Sequence, residues 1–171
     1  GSTDQTGAIA GASGAAVLRH FLNRGQGAAL QTGIDWALRQ GADIIVTFDA
    51  DGQHDPADTS RLVQPIRSGR VDVVLGSRFL GRPSPAMPVA HRYFLKLAAL
   101  FDRLRSGLAI TDTHNGLRAF SRVAAMRINI RQDGMAHASE LLDQIAHLHL
   151  RYVEVPVTVR YGEPLSFAEL H

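Results

Sequence analysis

The chain has 171 residues, 45% of them hydrophobic, which suits one domain over 1–171 with a real core. The formal charge is only +2, and no nucleic-acid partner is expected. Cysteine is absent, so disulfide and thiolate chemistry are excluded, and no apolar run approaches the roughly 20 residues of a membrane span.

The start, "GSTDQTG", lacks the basic and apolar parts of a signal peptide, and a soluble, cytoplasmic protein is expected. Ser2, Thr3 and Asp4 are good N-cap residues for a helix over "STDQTGAIAGA". "AAVLRH" (15–20) reads as a short strand. "GQGAALQTGIDWALRQG" (25–41) reads as a helix with Leu30, Ile34, Ala37 and Leu38 on one face and Gly41 as its stop. "ADIIVTF" (42–48) is a nearly unbroken apolar run, as in a strand covered on both faces. "DPADTSRLVQPIRSG" (55–69) predicts a helix with Asp55 as cap and Pro56 first, and "VDVVLGS" (71–77) another buried strand.

"GRPSPAMP" (81–88) is a Pro-rich loop. "VAHRYFLKLAALFDRLRSG" (89–107) is an amphipathic helix with Tyr93, Leu97, Leu100, Phe101 and Leu104 apolar. "NGLRAF" (115–120) looks extended, "ASELLDQIAHL" (138–148) helical, and "RYVEVPVTVRY" (151–161) alternates like a strand. The alternation of strands and helices predicts a parallel sheet with helices on its faces, and ligands then bind at the carboxyl ends of strands. The acidic loop "DADGQHDP" and the segment "GSR" (76–78) both fall at such ends and should share one rim.

Asp49 and Asp51 flank Ala50 on that rim. Two carboxylates so placed can aim at one hard divalent cation, which prefers oxygen ligands and completes its shell from substrate phosphates. A calcium loop counted from Asp49 fails, because its sixth and twelfth places hold His54 and Ser60. An aspartyl-nucleophile phosphatase fits poorly, because Gln53 stands at the fifth place. The plain alternative makes Asp49 a turn residue and Asp55 a helix cap. Lys96 is the only lysine; the arginines favour planar contacts to phosphate or carboxylate, although a high-GC genome that uses Arg for Lys is the simpler account of them. His147 and His149 point in different directions on a helix, and His54 reads as a loop residue, not a ligand.

"NRGQGAALQTGI", "DADGQHDP", "DVVLGSRF", "DTHNGLRAFSR" (112–122) and "EVPVTVRY" (154–161), in that order, resemble the family 2 glycosyltransferases, above all dolichyl-phosphate mannosyltransferases and bacterial polyprenyl-phosphate glycosyltransferases. The resemblance implies an α/β, Rossmann-like GT-A fold with a mostly parallel sheet and flanking helices. It implies Mg²⁺ or Mn²⁺, a GDP- or UDP-linked sugar donor and inverting transfer to a polyprenyl phosphate. By that resemblance Asp49 and Ala50 contact the donor, Asp51 and Gln53 ligate the metal, and Arg78 lies at the donor diphosphate. Arg118 lies near the acceptor phosphate, and Arg160 closes over the phosphates. Asp49, Asp51, Arg78 and Arg118 form its catalytic set. The glycines of "NRGQG" allow close backbone approach after the nucleotide pocket, or serve a helix start.

Family members begin with a further strand, helix and strand that hold the nucleobase, so an N-terminal truncation of roughly 40 residues is expected by comparison with the usual parallel-sheet unit. Two other readings stay open. One has a saccharide or other hydroxyl as acceptor, with Asp112 as base. The other is a non-catalytic nucleotide- or partner-binding domain, for which a homo-oligomer completing the fold in trans is conceivable. The 89–107 helix, with His91, Arg92, Lys96, Arg103 and Arg105, either packs on the sheet or meets the inner face of a membrane.

Overall fold

Arg118, at the start of the third strand along the chain, stands level with residues of both neighbouring strands. In the computed structural model, which describes residues 2–80 and 89–160, four strands are ordered β1-β3-β2-β4. They are β1 (Ile44–Thr47), β2 (Val73–Ser77), β3 (Arg118–Ser121) and β4 (Tyr152–Pro156). β2 and β4 pair in parallel, whereas β3 is antiparallel to both β1 and β2. Three strands therefore run the same way, as the strand–helix alternation predicts. The fourth enters between them from the rim and can only run back. Thr47 and Leu75 both face Arg118 in register, and Leu75 also faces Glu154, so one row crosses all four strands.

The described residues also form six helices: α1 (Thr6–Ala12), α2 (Gln26–Arg39), α3 (Asp58–Arg67), α4 (Val89–Ser106), α5 (Arg122–Arg127) and α6 (His137–His147). Alternating side chains split the core. Ile45, Val73, Leu75 and Phe120 pack with α2, α5 and α6 on one face. Val74, Ala119, Val155 and Val157 pack with Leu62 and Ile66 of α3 on the other.

Several expectations are corrected. "AAVLRH" forms no strand, because a strand needs a neighbour's backbone and β1, among the described residues, pairs only with β3. Phe21 just beyond it is wholly exposed. β1 is an end strand in which only Ile45 is buried, not a strand covered on both faces. The third helix begins at Asp58; the Asp55 carboxylate instead accepts the Ala57 N–H at 3.0 Å in the turn before it. In α4 the apolar stripe does not pack. Leu95 and Ala99 are buried, while Tyr93, Leu97, Phe101 and Leu104 are exposed. The Pro-rich loop 81–88, the tail 161–171 and the side chains of His91, Arg92 and Lys96 lie outside the described residues.

The starts of β2 and β4 are joined by Asp72 and Arg151, with two hydrogen bonds from the guanidinium at 3.0 and 2.9 Å. Arg151 holds the Asp72 carboxyl below its usual range, so the stabilisation is present above about pH 4 and is lost as pH falls through the lowered value. Asp72→Asn should therefore lower the urea midpoint at pH 7, and the gap from wild type should close as the pH is taken down towards 3.

Candidate active site

The chain leaves β1 at Thr47 and turns at once through 49–53, with Gly52 at φ 80°, a left-handed conformation that favours glycine. Asp51 and Gln53 are exposed on this turn, and among the described residues the Asp51 carboxylate accepts the Gln53 N–H alone, at 3.0 Å. Ala50 is exposed beside them. Asp49 turns inward, where Gln26 Nε2 donates to it at 3.0 Å. Its carboxylate lies on Gly116, so close that a Cβ at that position would overlap it.

His54 is buried edge-on to Phe48, with ring centroids 5.8 Å apart. Burial pushes its pKa down, against the pull of Asp49 and Asp51, so the ring is neutral near pH 7. At 3.9 Å from the Asp49 carboxylate it makes no ion pair in that state. The same electrostatic neighbourhood includes Arg78 and Asp112.

Arg78 leaves the end of β2 and is held by Asp112. Its backbone N–H and its Nε both donate to Asp112 Oδ2, at 3.1 and 2.6 Å, and Nη2 donates to the His114 carbonyl at 3.2 Å. Asn115 Nδ2 reaches the same oxygen at 3.4 Å. The other oxygen, Oδ1, is buried and has no hydrogen-bond partner among the described residues. Arg160 approaches from the far side of the acidic turn. Its backbone N–H donates to the Gln53 carbonyl at 2.8 Å, and its exposed guanidinium meets Asp55 at 3.1 Å.

Arg118, which the family resemblance puts near the acceptor phosphate, is buried beneath the rim. It is 5% exposed, and Nε and Nη2 donate to the carbonyls of Asn115 and Thr113 at 3.0 and 2.8 Å. Burial draws its pKa down to about 10, with Asp112 and Asp49 opposing, so it stays charged. A cation enclosed in this way fastens the 113–115 backbone. The glycines of "NRGQG" are likewise used inside the fold. A Cβ at Gly25 or Gly27 would strike the backbone of Asp133 or Gln132.

The site thus gathers Asp49, Asp51, Gln53 and Arg78 around His54, with Arg160 beside Gln53. Residue spacing does not reveal Gln26, Gly116 or Asn115, which touch Asp49 and Asp112; the only hint is the density of polar residues in "TDTHNG". A cleft of about 800 Å³ between α2 and β1, lined by Leu30, Ile34, Val46 and Phe48, ends at Gln26, Asp49 and Asp51. Among the described residues no three His, Asp or Glu side chains converge on one point. Asp51 and Gln53 offer oxygen ligands alone. That set fits Mg²⁺ or Mn²⁺, which take one or two protein carboxylates and fill the remaining positions from phosphate and water.

A family model described as "Glycosyl transferase family 2" matches residues 1–128. A UDP-N-acetylglucosamine–dolichyl-phosphate N-acetylglucosaminyltransferase of Methanococcus voltae is 36% identical over 85% of this chain and 59% of its own length. A polyprenol monophosphomannose synthase of Mycolicibacterium smegmatis is 32% identical over 92% of this chain and 63% of its own. The glucosyl-3-phosphoglycerate synthase of Mycobacterium tuberculosis, solved with Mn²⁺ and UDP-glucose, superposes with a TM-score of 0.68 at 25% identity, over 99% of this chain and 60% of that one. The chain therefore spans about three fifths of the length of these proteins.

Gly116→Ala would push the Asp49 carboxylate aside, since the three atoms nearest its Cβ all belong to that group. Affinity for Mn²⁺ with UDP or GDP should fall about tenfold, as for other residues that seat a ligating shell, when read by calorimetry.

Proposed function

The chain belongs to glycosyl transferase family 2, and from that premise we propose that it moves a sugar from a nucleotide-sugar donor to a polyprenyl phosphate, inverting the anomeric centre, with Mg²⁺ or Mn²⁺. The observation that carries the reading is the pairing of opposite charges at one rim. Asp49 and Asp51 stand on one side and Arg78 on the other, tied together through Gly116 and Asp112. A donor diphosphate needs both. Asp51 and Gln53 would hold the cation, and Asp49 would bind the donor from the inner side of the turn. The cation's charge would oppose the charge that grows on the leaving diphosphate.

Arg78 is the residue assigned to that same charge. Its Nε is fixed by Asp112, so the guanidinium is oriented before substrate arrives, and a preoriented donor favours the transition state without reorganisation. Arg160, exposed and bonded through its backbone to Gln53, is suited to meet the phosphates from outside.

The acceptor follows from what is lacking at Asp112. A hydroxyl acceptor needs a base within reach. The Asp112 side chain is only 1% exposed, and one of its oxygens already takes Arg78 and Asn115. It reads as the group that holds Arg78, not one that removes a proton. A phosphate monoester is already anionic near neutral pH and needs no base. Both polyprenyl-phosphate relatives above are named for such acceptors. Arg118 then supports the acceptor side through the loop it fastens. The solved neighbour is also known in complex with phosphoglyceric acid, which keeps a hydroxyl acceptor as the second reading.

The exposed side chains Tyr93, Leu97, Phe101 and Leu104 of α4 support contact with the cytoplasmic face of a membrane, where a polyprenyl phosphate resides. Arg105 is taken up by Asp102 and Asp143, and Arg103 is exposed beside the apolar side chains. No helix among the described residues is long and apolar enough to cross a membrane.

Two measurements test these assignments. Asp51→Ala should abolish Mn²⁺-dependent UDP or GDP binding; unchanged affinity would remove the metal assignment. Transfer to a short polyprenyl phosphate should exceed transfer to 3-phosphoglycerate, and the reverse order would favour the hydroxyl reading. Separately, Leu97→Ser with Phe101→Ser should release the protein from anionic phospholipid vesicles in a flotation assay while its circular dichroism spectrum stays unchanged. Equal flotation would refute α4 as the contact.

A further inference from the structure

Glu154 lies outside every residue so far assigned to substrate or metal. It stands on β4 opposite Leu75, at the end of the row that also holds Arg118 and Thr47. Its carboxylate reaches over the sheet to the loop that follows α4. Oε1 accepts the backbone N–H of Thr111 at 2.9 Å and of Asp112 at 3.2 Å. Oε2 accepts the Thr111 N–H at 3.0 Å and the Thr111 hydroxyl at 3.0 Å.

The hydroxyl contact fixes the direction of a longer chain. Thr111 Oγ1 gives its one proton to Glu154, so at 2.6 Å from Ser77 Oγ it must accept the serine's proton. Ser77 Oγ in turn accepts the backbone N–H of Phe79 at 3.2 Å. Protons therefore all point one way, from Phe79 through Ser77 and Thr111 to Glu154. Residues 77 and 79, on either side of Arg78, hang on this chain. Asp112, which grips Arg78 directly, hangs on the same carboxylate through its N–H. Only a group with acceptors and no donor can end such a chain; an amide of the same shape turns a donor towards other donors.

We propose that Glu154 is a positioning residue of the donor site: by ending the chain from Phe79 and by fixing Thr111 and Asp112, it determines where the Arg78 guanidinium stands. The proposal rests on the reading of Arg78 as the partner of the donor diphosphate. Glu154 touches neither donor nor metal and acts through Arg78 alone.

The test pairs a structural readout with a thermodynamic cycle. In ¹⁵N spectra the Arg78 Nε–H, bonded to Asp112, should give a resolved, slowly exchanging resonance, assigned by its loss in Arg78→Ala. Glu154→Gln should shift that resonance or abolish it. The same variant should weaken Mn²⁺-dependent binding of UDP or GDP, whichever the wild type binds more tightly, by about tenfold, the usual cost of losing a residue that orients a ligating group. In the Arg78→Ala background it should cost nothing further. If Glu154→Gln lowers the melting temperature markedly, Thr111→Val carries the same cycle, since it removes only the hydroxyl between Ser77 and Glu154. An unchanged Nε–H resonance, or losses that multiply in the double variant, overturns the role of Glu154. Undiminished affinity in Arg78→Ala overturns the reading of Arg78 itself, a different result from either.

Discussion

A charged arginine enclosed beneath a loop must find its acceptors there, and Arg118 does so in the carbonyls of Thr113 and Asn115. Losing those bonds would leave a buried cation unpaired, which is costly, so the loop and the arginine hold each other in place. The arrangement extends sideways along the row that crosses the sheet. Thr47 of β1 donates its hydroxyl to the Gly116 carbonyl at 2.6 Å, and Glu154 of β4 takes the amides of Thr111 and Asp112. One polar side chain from each of three strands thus fastens one end, the middle or the other end of a single loop.

That loop determines what lies on both sides of it. Gly116 leaves room for the Asp49 carboxylate, and Asp112 grips Arg78. Acidic and basic halves of the site therefore share one scaffold, and their spacing is not left to two independent loops. The crowding of acids in "DADGQHDP" is also resolved by this geometry. Asp49 is bonded by Gln26, Asp51 faces solvent, Asp55 pairs with Arg160, and Asp58 takes Arg61 and the Thr158 N–H. His54 between them is neutral because it is buried. The repulsion among these acids is mostly dispersed among separate partners.

Two surfaces are less settled by the fold's own packing. The outer edge of β1 carries an apolar cleft beside α2, and the segment that reads as a strand at 15–20 has no sheet to join. The apolar stripe of α4 faces outward, because α4 meets the rest of the protein through Leu95, Ala99 and the buried Asp102. Asp102, bonded by Arg105 and Ser139, sets that orientation with a polar contact to α6. Hydrophobic periodicity locates a helix and its apolar face, but which face turns inward depends on the neighbours available.

The amino-acid sequence by itself located the helices read at 25–41 and 138–148, the buried run at 71–77, the extended "NGLRAF", and the acidic turn at a strand end. These features are local: periodicity, β-branched runs and glycine stops act within a few residues. Motif order likewise sufficed for the family. Only the tertiary structure decided that β3 enters antiparallel, that Arg118 lies under the loop, that Asp112 grips Arg78 and Gly116 lies on Asp49, and that Glu154 takes the amides of Thr111 and Asp112. Those facts depend on strand register and on hydrogen bonds between residues tens of positions apart, such as Arg78 with Asp112 and Thr111 with Glu154, and no spacing along the chain encodes which carbonyl a buried guanidinium will find.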